Sequence, residues 1–282
     1  MDLSIVIVSW KVKKLLEECL NSIFNQTKEI TYEVWVVDNF SQDGTVEMVK
    51  EKFPQVHLIA NQKNLGFAKA NNQAIRLAKG KFILLLNPDT KILDNALEKI
   101  VHFMKENPNC GVAGGKLLNP DGSLQPSVRR FPRFLDQALI LLKIHHFLPN
   151  LPPLRAYLAK NFDYDKKQEV DQIMGAFFLI RREVIEEVGL LDENFWIWFE
   201  EVDYCQRVKK AGKKVCYCPQ AKIIHYFGQS FKQRLSLDKQ RIYNRSLSYY
   251  FKKHHSFINY LLINLLRPLS LFLAALTQMF KI

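Results

Sequence analysis

The first 120 residues alternate between two hydrophobic periods, and that alternation restricts the fold more than any single motif does. Leu3 to Trp10 is a β-branched apolar run of strand length; Leu15, Leu16, Cys19, Leu20, Ile23 and Phe24 then recur at helical spacing. Tyr32 to Val37 is a second strand-like run ending at Asp38-Asn39, and Ser-Gln-Asp-Gly-Thr supplies turn chemistry that opens a helix. Val56 to Ala60 reads as strand, Phe67 to Ala78 as helix, and Phe82 to Leu86 as a strand ending at Asn87-Pro88-Asp89. Leu93, Leu97, Ile100, Val101 and Met104 mark a further helix. Repeated strand–helix–strand units imply an α/β fold with a mostly parallel sheet buried on both faces. Ligands of such sheets bind at the carboxyl ends of strands, where Asp38 and Asp89 fall.

The second half is less regular. Gly114-Gly115 and Asn119 to Ser123 read as turns, and Ala138 to Leu158 as an irregular insertion. Ile173 to Ile180 reads as a strand, Glu200 to Lys210 as a helix ending at Gly212, and Val215–Cys218 and Lys222–His225 as two short strands. The 282 residues suit one large domain with an appendage. Charge locates the appendage. Met1 to Asp203 holds 25 basic and 27 acidic residues, whereas Tyr204 onward holds 15 basic residues and one acid, Asp238. The expected division is an enzyme-sized unit over residues 1–234, in a first part (1–120) and a second (121–234), followed by a basic helical tail over 235–282.

The tail finishes with the apolar stretch Phe257 to Phe280, interrupted by Arg267-Pro268. A charge at the centre of a membrane span costs at least about 2.5 kcal/mol. Two half-helices lying in the interface explain the interruption better than one spanning helix. The flanking basic residues would draw the tail to anionic lipid. The opening MDLSIVIVSW reads as a first strand rather than a signal peptide, and five scattered cysteines without a CxxC pair suit reduced thiols in a cytosolic compartment. A cytoplasmic protein attached peripherally to the inner face of the cell membrane is expected.

Several chemistries are excluded at the outset. The loop after the first strand, Ser9-Trp10-Lys11-Val12-Lys13, has no GxGxxG, and neither a GxxxxGK[ST] phosphate loop nor a GxSxG elbow occurs. Asp38 could receive the imide or amino hydrogen of a base, or simply cap the next helix. Gly66, in Asn64-Leu-Gly-Phe-Ala-Lys-Ala-Asn71, would let a ligand approach the backbone, or serve a capping turn. Asp89 suits a divalent cation bridging two phosphates, although Asn-Pro-Asp-Thr is also a good turn. His225 could complete such a cation site or merely pack. Arg129, Arg130 and Arg133, on a loop near Pro126 and Pro132, could face an anionic substrate, although a solvated loop is the simpler reading. The richest patch is Phe195-Trp-Ile-Trp-Phe-Glu200-Glu201-Val-Asp203, three carboxylates directly behind an aromatic run. Helical spacing puts Glu200, Asp203 and Arg207 on one face and turns Glu201 away. Burial among aromatics would raise a carboxylate toward the range of a general base.

In order, the segments SIVIVSW, VVDNFSQDGT, NLGFAKANNQAI, LLLNPDT, GGKLLNPDGSLQPSVRRFP, MGAFFLIRREVIEEVGLLDENFWIWFEEVDYCQRVKKAG and AKIIHYFG closely resemble inverting glycosyltransferases of family 2, especially rhamnosyltransferase-like members that build bacterial cell-surface polysaccharides. The resemblance runs from Leu3 to Lys253. It implies a GT-A fold, a nucleoside-diphosphate sugar donor (TDP- or UDP-linked, rhamnose favoured), a glycan or lipid-linked acceptor and a divalent metal, Mn²⁺ or Mg²⁺. By the same resemblance Ser9 lies under the nucleotide, and Asp38, followed by Asn39, reads the uracil or thymine base. Gly66 and Asn71 line its pocket. Asp89 is the last acid of the metal motif, with Asn87 in place of the first, and His225 reaches the metal. Glu201 stands where the general base stands, preceded by Glu200. A catalytically inactive nucleotide-sugar sensor or scaffold on the same fold is the alternative; it would have lost Asp89 or the glutamate pair. Nucleic-acid binding lacks any motif, and the basic residues adjoin an apolar tail instead.

Overall fold

Along the first strand, successive side chains point to opposite faces and both faces are buried. Leu3, Ile5 and Ile7 join one apolar cluster and Val6 and Val8 join another. The computed structural model describes residues 1–228 and 235–279. Its strands are β1 (Leu3–Ser9), β2 (Tyr32–Asp38), β3 (His57–Ala60), β4 (Phe82–Leu86), β5 (Thr90–Ile92) and β6 (Cys110–Leu118). They continue with β7 (Leu124–Gln125), β8 (Val128–Arg129), β9 (Gln168–Val170), β10 (Gln172–Ile173), β11 (Phe177–Arg181) and β12 (Lys214–His225). The central sheet runs β3-β2-β1-β4-β11-β6-β12-β5, with β7 beside β6 and β9 beside β12; β8 and β10 form a separate pair.

The sheet is mostly parallel, as its alternating strand–helix pattern requires: β3, β2, β1 and β4 run one way, and β6 with β12 form a second long parallel ladder. The strand β11 enters antiparallel between them. One face is covered by the helices Lys13–Gln26, Thr45–Lys52 and Ala96–Glu106, through Leu16, Leu20, Met48, Leu97 and Ile100. The other is covered by Phe67–Leu77, Arg182–Val188 and Glu200–Lys210, through Ala70, Ala74, Val184, Tyr204 and Val208.

The second half departs from several expectations. Gly114 and Gly115 lie inside β6 rather than in a turn. A Cβ on Gly115 would stand 2.3 Å from the Ala221 carbonyl oxygen and 2.6 Å from the Phe177 ring, so glycine serves close strand approach there. The two short strands expected around residue 218 are one strand, β12, with a register shift between Cys218 and Lys222. The run from Ile173 to Ile180 is split between β10 and β11. The segment read as irregular folds into three short helices, Phe134–Leu141, Ile144–Phe147 and Pro152–Tyr157. All five cysteines are buried and free.

The tail is two helices, Ser236–His254 and Phe257–Met279. The boundary placed between 234 and 235 adjoins residues 229–234, which lie outside the described residues, as does Phe280. The expected pair of half-helices is instead one continuous helix through Pro268. Proline there removes the N–H that would reach the Asn264 carbonyl. The helix is held by a polar seam: Ser248 donates to Asn264 at 2.9 Å, Arg267 donates to Asn264 at 2.7 Å, and Asn244 donates to the Arg267 carbonyl at 3.4 Å.

A third apolar cluster joins tail to sheet unit: Leu247, Tyr250, Phe251 and Ile263 of the tail pack with Leu141, Phe195, Phe199 and Val202. At about 1.5–3 kcal/mol per fully buried large side chain, this contact outweighs exposed ion pairs at the same junction, worth about 0–1 kcal/mol each. A buried charge cluster adds direction. Asp203, fully buried, accepts from Arg207 Nε at 2.9 Å, from Lys253 Nζ at 2.7 Å and from His254 Nε2 at 2.7 Å. Burial alone would raise this carboxyl, yet the His254 and Lys253 hydrogen bonds and the nearby Arg207 hold it below its ordinary value. A depressed folded pKa stabilises above the ordinary carboxylate value and ceases to do so as pH falls through the folded one. Asp203→Ala should therefore cost about 3–5 kcal/mol, as expected for an orphaned buried ion pair. Urea denaturation should show that loss at pH 7, and the gap between wild type and variant should narrow on acidification below the carboxylate range.

Candidate active site

A cleft of about 620 Å³ opens where the carboxyl ends of the parallel strands meet the second half and the tail. It falls within the range of about 300–1,000 Å³ typical of ligand pockets. Of the residues singled out from the sequence, Asn39, Gly66, Asn87, Asp89, Glu200, Glu201 and His225 line it. Ser9, Asp38 and Asn71 stand just behind the wall formed by Val8, Trp10, Asn39 and Phe67, and all three are buried.

Those three share a further property. Ser9 and Asp38 are register partners at the ends of β1 and β2. Asp38 Oδ2 accepts from the Ser41 N–H at 3.2 Å, and Asn71 Nδ2 donates to the Phe67 carbonyl at 2.9 Å. Yet Ser9 Oγ, Asp38 Oδ1 and Asn71 Oδ1 are buried with no hydrogen-bond partner among the described residues. Native interiors leave few polar atoms unpaired, and the register pair Ser9 and Asp38 leaves two of them at adjoining strand ends beside the cleft-lining Val8, Trp10 and Asn39. Asn39 fixes the wall's shape: its side-chain oxygen accepts from the Leu65 N–H at 2.9 Å, and its amide donates to the Gly66 carbonyl at 3.1 Å. Gly66 itself has φ +82° and ψ 179°, a conformation nearly confined to glycine. Its close neighbour is the chain itself, since a Cβ there would stand 2.3 Å from the Trp196 carbonyl oxygen.

The imidazole of His225 sits between β6 and β5 neighbours at the end of β12. Gln125 donates through Nε2 to Asn119 and to the His225 carbonyl, so its Oε1 accepts from His225 Nδ1 at 2.7 Å. That assignment leaves Nε2 without a proton. Nε2 faces Asp89 Oδ1 at 3.4 Å and Asn87 Nδ2 at 3.3 Å. An imidazole lone pair facing a buried carboxylate oxygen is a donor set that fits a divalent cation, with a second hydrogen bond orienting the imidazole. Among the described residues no group of three His, Cys, Asp or Glu side chains converges, so a cation here would take its other ligands from elsewhere.

The acidic pair opens the helix Glu200–Lys210, and the two residues before it, Trp198 (φ 65°) and Phe199 (φ 72°), are both left-handed. Bulky side chains adopt that conformation at a cost of order 1–3 kcal/mol each and only where their surroundings enforce it. Here the tail does so: Ser246 Oγ donates to the Ile197 carbonyl at 2.8 Å, and Phe199 packs on Tyr243 and Tyr250. The expected helix face is modified. Asp203 pairs with Arg207, but Glu200 turns into the cleft beside Glu201. Oε2 of each glutamate is buried without a partner among the described residues. Burial pushes the Glu200 carboxyl well above its ordinary value, and the neighbouring Glu201 charge adds to this. Burial also raises Glu201, with the Arg129 charge among the influences pulling back.

Three cleft residues escaped the reading of the sequence, and a fourth is placed differently from the solvated loop favoured for it. Arg129 is not on a solvated loop but on β8, half-buried, its guanidinium 5.8 Å from the centre of the Tyr157 ring. Tyr157 ends a helix inside the segment read as irregular, and Lys239 and Tyr243 come from the tail, whose charge pointed only to lipid. The Pro-Pro at residues 152–153 was a usable helix-start signal; nothing local marked Lys239.

The mostly parallel sheet flanked by helices, with a cleft at its strand ends, is a GT-A type fold. The description "Glycosyl transferase family 2" matches residues 4–189, and the chain belongs to that family. It is 28% identical over 239 residues (81% of this chain, 77% of the relative) to the N-acetylglucosaminyl-diphospho-decaprenol L-rhamnosyltransferase of Mycobacterium tuberculosis. It is 25% identical over 228 residues (79% and 67%) to a low-salt glycan biosynthesis hexosyltransferase of Haloferax volcanii. Among solved structures, a mannosyltransferase of Pyrobaculum calidifontis in complex with GDP-Man and Mn²⁺ superposes with a TM-score of 0.61 at 17% identity, covering 97% of this chain and 72% of that one. The protein is thus a family 2 glycosyltransferase.

Gly66→Ala should lose about 1–3 kcal/mol from backbone strain alone. The forced shift of Trp196 should distort the cleft, so nucleotide affinity should fall together with the thermal midpoint, measured on the same preparation.

Proposed function

We propose that this enzyme transfers a sugar, rhamnose favoured, from a TDP- or UDP-sugar to a glycan or lipid-linked acceptor, inverting the anomeric centre, in the synthesis of cell-surface polysaccharide. The observation that carries this reading is that Glu201 and the Asp89–His225 pair line one cleft. Ser9, Asp38 and Asn71, each with an orphaned polar atom, suit the nucleotide base and ribose. The mycobacterial relative's lipid diphosphate acceptor and the archaeal structure's bound Mn²⁺ support the acceptor class and the metal.

Asp89 and His225 would hold the cation, Mn²⁺ or Mg²⁺, which when bound supplies positive charge beside the departing nucleoside diphosphate. Gln125, accepting from His225 Nδ1 at 2.7 Å, orients the imidazole and leaves Nε2 toward the cation. Glu201, ionised, takes the proton from the acceptor hydroxyl as that oxygen attacks the anomeric carbon from the face opposite the leaving group. One displacement needs no covalent nucleophile on the protein. Trp196, Trp198 and Phe199 exclude water from the acid pair.

The tail supports attachment to a membrane surface, and the cytoplasmic side is the face proposed for it. Phe257–Gln278 is the one helix among the described residues long and apolar enough to cross a bilayer. Ile263, Ser270 and Ala274 are buried against the protein, while Ile258, Leu261, Leu265, Leu269 and Phe272 form an exposed stripe at helical spacing. One face packed and the opposite face apolar suits a helix lying in the interface, beside basic residues drawn to anionic lipid.

Glu201→Gln should lower kcat by about 10²–10⁴-fold, the usual contribution of a general base, with donor binding unchanged in calorimetry. Because the carboxyl is raised, the acid limb of the wild-type kcat profile should lie above the ordinary carboxylate range, and activity should rise with pH through it. Near-normal turnover by Glu201→Gln would refute the base assignment. Separately, Leu265→Glu with Phe272→Glu should abolish cosedimentation with phosphatidylglycerol vesicles while leaving nucleotide binding intact.

A further inference from the structure

We propose that Arg129 and Lys239 form an anion subsite in the cleft that takes a phosphate or diphosphate group borne by the acceptor. The inference rests on the transfer reading above and deepens it. Arg129 comes from β8 and Lys239 from the first turn of the Ser236–His254 helix; both are half-buried and both line the cleft with Glu201. Neither forms a salt bridge with a carboxylate among the described residues. Other half-buried cations are paired: Lys116, Arg207 and Lys209 with carboxylates, and Arg181 and Arg182 with backbone carbonyls. The Glu201 charge acts on Arg129 without forming a salt bridge to it among the described residues, and a phosphate accepting charge-assisted hydrogen bonds from both cations would offset the cost of holding them partly out of water. Tyr157 orients the guanidinium from behind, and a planar fork so held suits phosphate oxygens.

Position separates this subsite from the donor's diphosphate. The Arg129 charge acts on Glu201, the base, which by its role lies on the acceptor side, whereas Asp89 and His225 are held by β4, β5 and β12. Lys239 belongs to the helix that packs on the one carrying the exposed apolar stripe. In a lipid-linked acceptor the phosphate lies between sugar and hydrocarbon, which suits cations that share the cleft with the base, one of them on the helix packed against the apolar one.

The test is calorimetric titration of the full-length protein with citronellyl diphosphate, and with citronellol as the uncharged control, in the presence of saturating UDP or TDP and Mn²⁺. The diphosphate should bind alongside the nucleotide and the alcohol should not. Arg129→Gln and Lys239→Gln should each weaken diphosphate binding at least tenfold, and Arg129→Lys less, with nucleotide affinity and thermal midpoint retained. Competition between the diphosphate and UDP would assign the cations to the donor and overturn the proposal. So would diphosphate binding that survives both glutamine variants. If Arg129→Gln only moved the acid limb of the kcat profile and left diphosphate binding intact, Arg129 would serve Glu201 alone, and the subsite would again be refuted. Failure of the wild type to bind either nucleotide would sink the transfer reading itself, a result distinguishable from these because the nucleotide is titrated first.

Discussion

Two glutamates at the start of one helix are held largely out of water, and that demand organises the second half of the molecule. Left to itself, a sequence of two exposed acids would open a helix in solvent and gain from its dipole. Here the preceding Trp198 and Phe199 adopt left-handed backbone, which aromatic residues do not choose locally. The opposing free energy comes from packing. Phe199 sits in the apolar cluster with Tyr250, Phe251 and Leu247, and Ser246 holds the Ile197 carbonyl. One turn further on, Asp203 collects Lys253 and His254 from the same tail helix. The tail is therefore a structural part of the acidic end of the cleft as well as a membrane-facing element.

This gives the two ends of the cleft different physical origins. The nucleotide corner is built from the ends of β1 and β2 and the following helix, local strand–helix units whose geometry the parallel sheet imposes. The acidic end is assembled from β8, β10, an aromatic loop and the tail, elements far apart in the chain. Under the proposed function, donor recognition would rest on the part of the fold with the most regular hydrogen bonding. Acceptor recognition would rest on the part whose arrangement depends on side-chain packing, which a family can vary without disturbing the sheet.

The same division decides what could be read from the residues. Strands β1, β2 and β4 and their helices emerge from periodicity within a residue or two, because burial on both faces leaves unbroken Val-Ile-Leu runs. Gly114-Gly115 misled because paired glycines signal turns locally, whereas Phe177 and Ala221 crowd that position from distant strands. Pro268 misled for a related reason: local chemistry argues for a break, and the polar seam with Asn244 and Ser248 holds the helix through it. Arg129 was weighed as solvated because its neighbours, Pro126, Arg130 and Pro132, are turn-like; its burial comes from Tyr157 and Tyr243, which no spacing rule connects to it. Glu201 and Asp89 were legible since each follows directly on an apolar run, which is a local signal. That they line one cleft follows from the family resemblance and not from either local signal.

The electrostatics of the acid pair bear on which member acts as base. Two carboxylates this close do not ionise independently, and the second proton leaves with difficulty. Burial raises both, but their neighbours differ. Glu200 has Glu201 and Asp203 nearby, each opposing its ionisation, while Glu201 has the Arg129 cation favouring it. The neighbours therefore favour ionisation of Glu201 over that of Glu200. Under the proposed function this makes Glu201 the better placed base, its carboxyl raised by burial and eased by the Arg129 charge, with Glu200 its neighbour and not a second base.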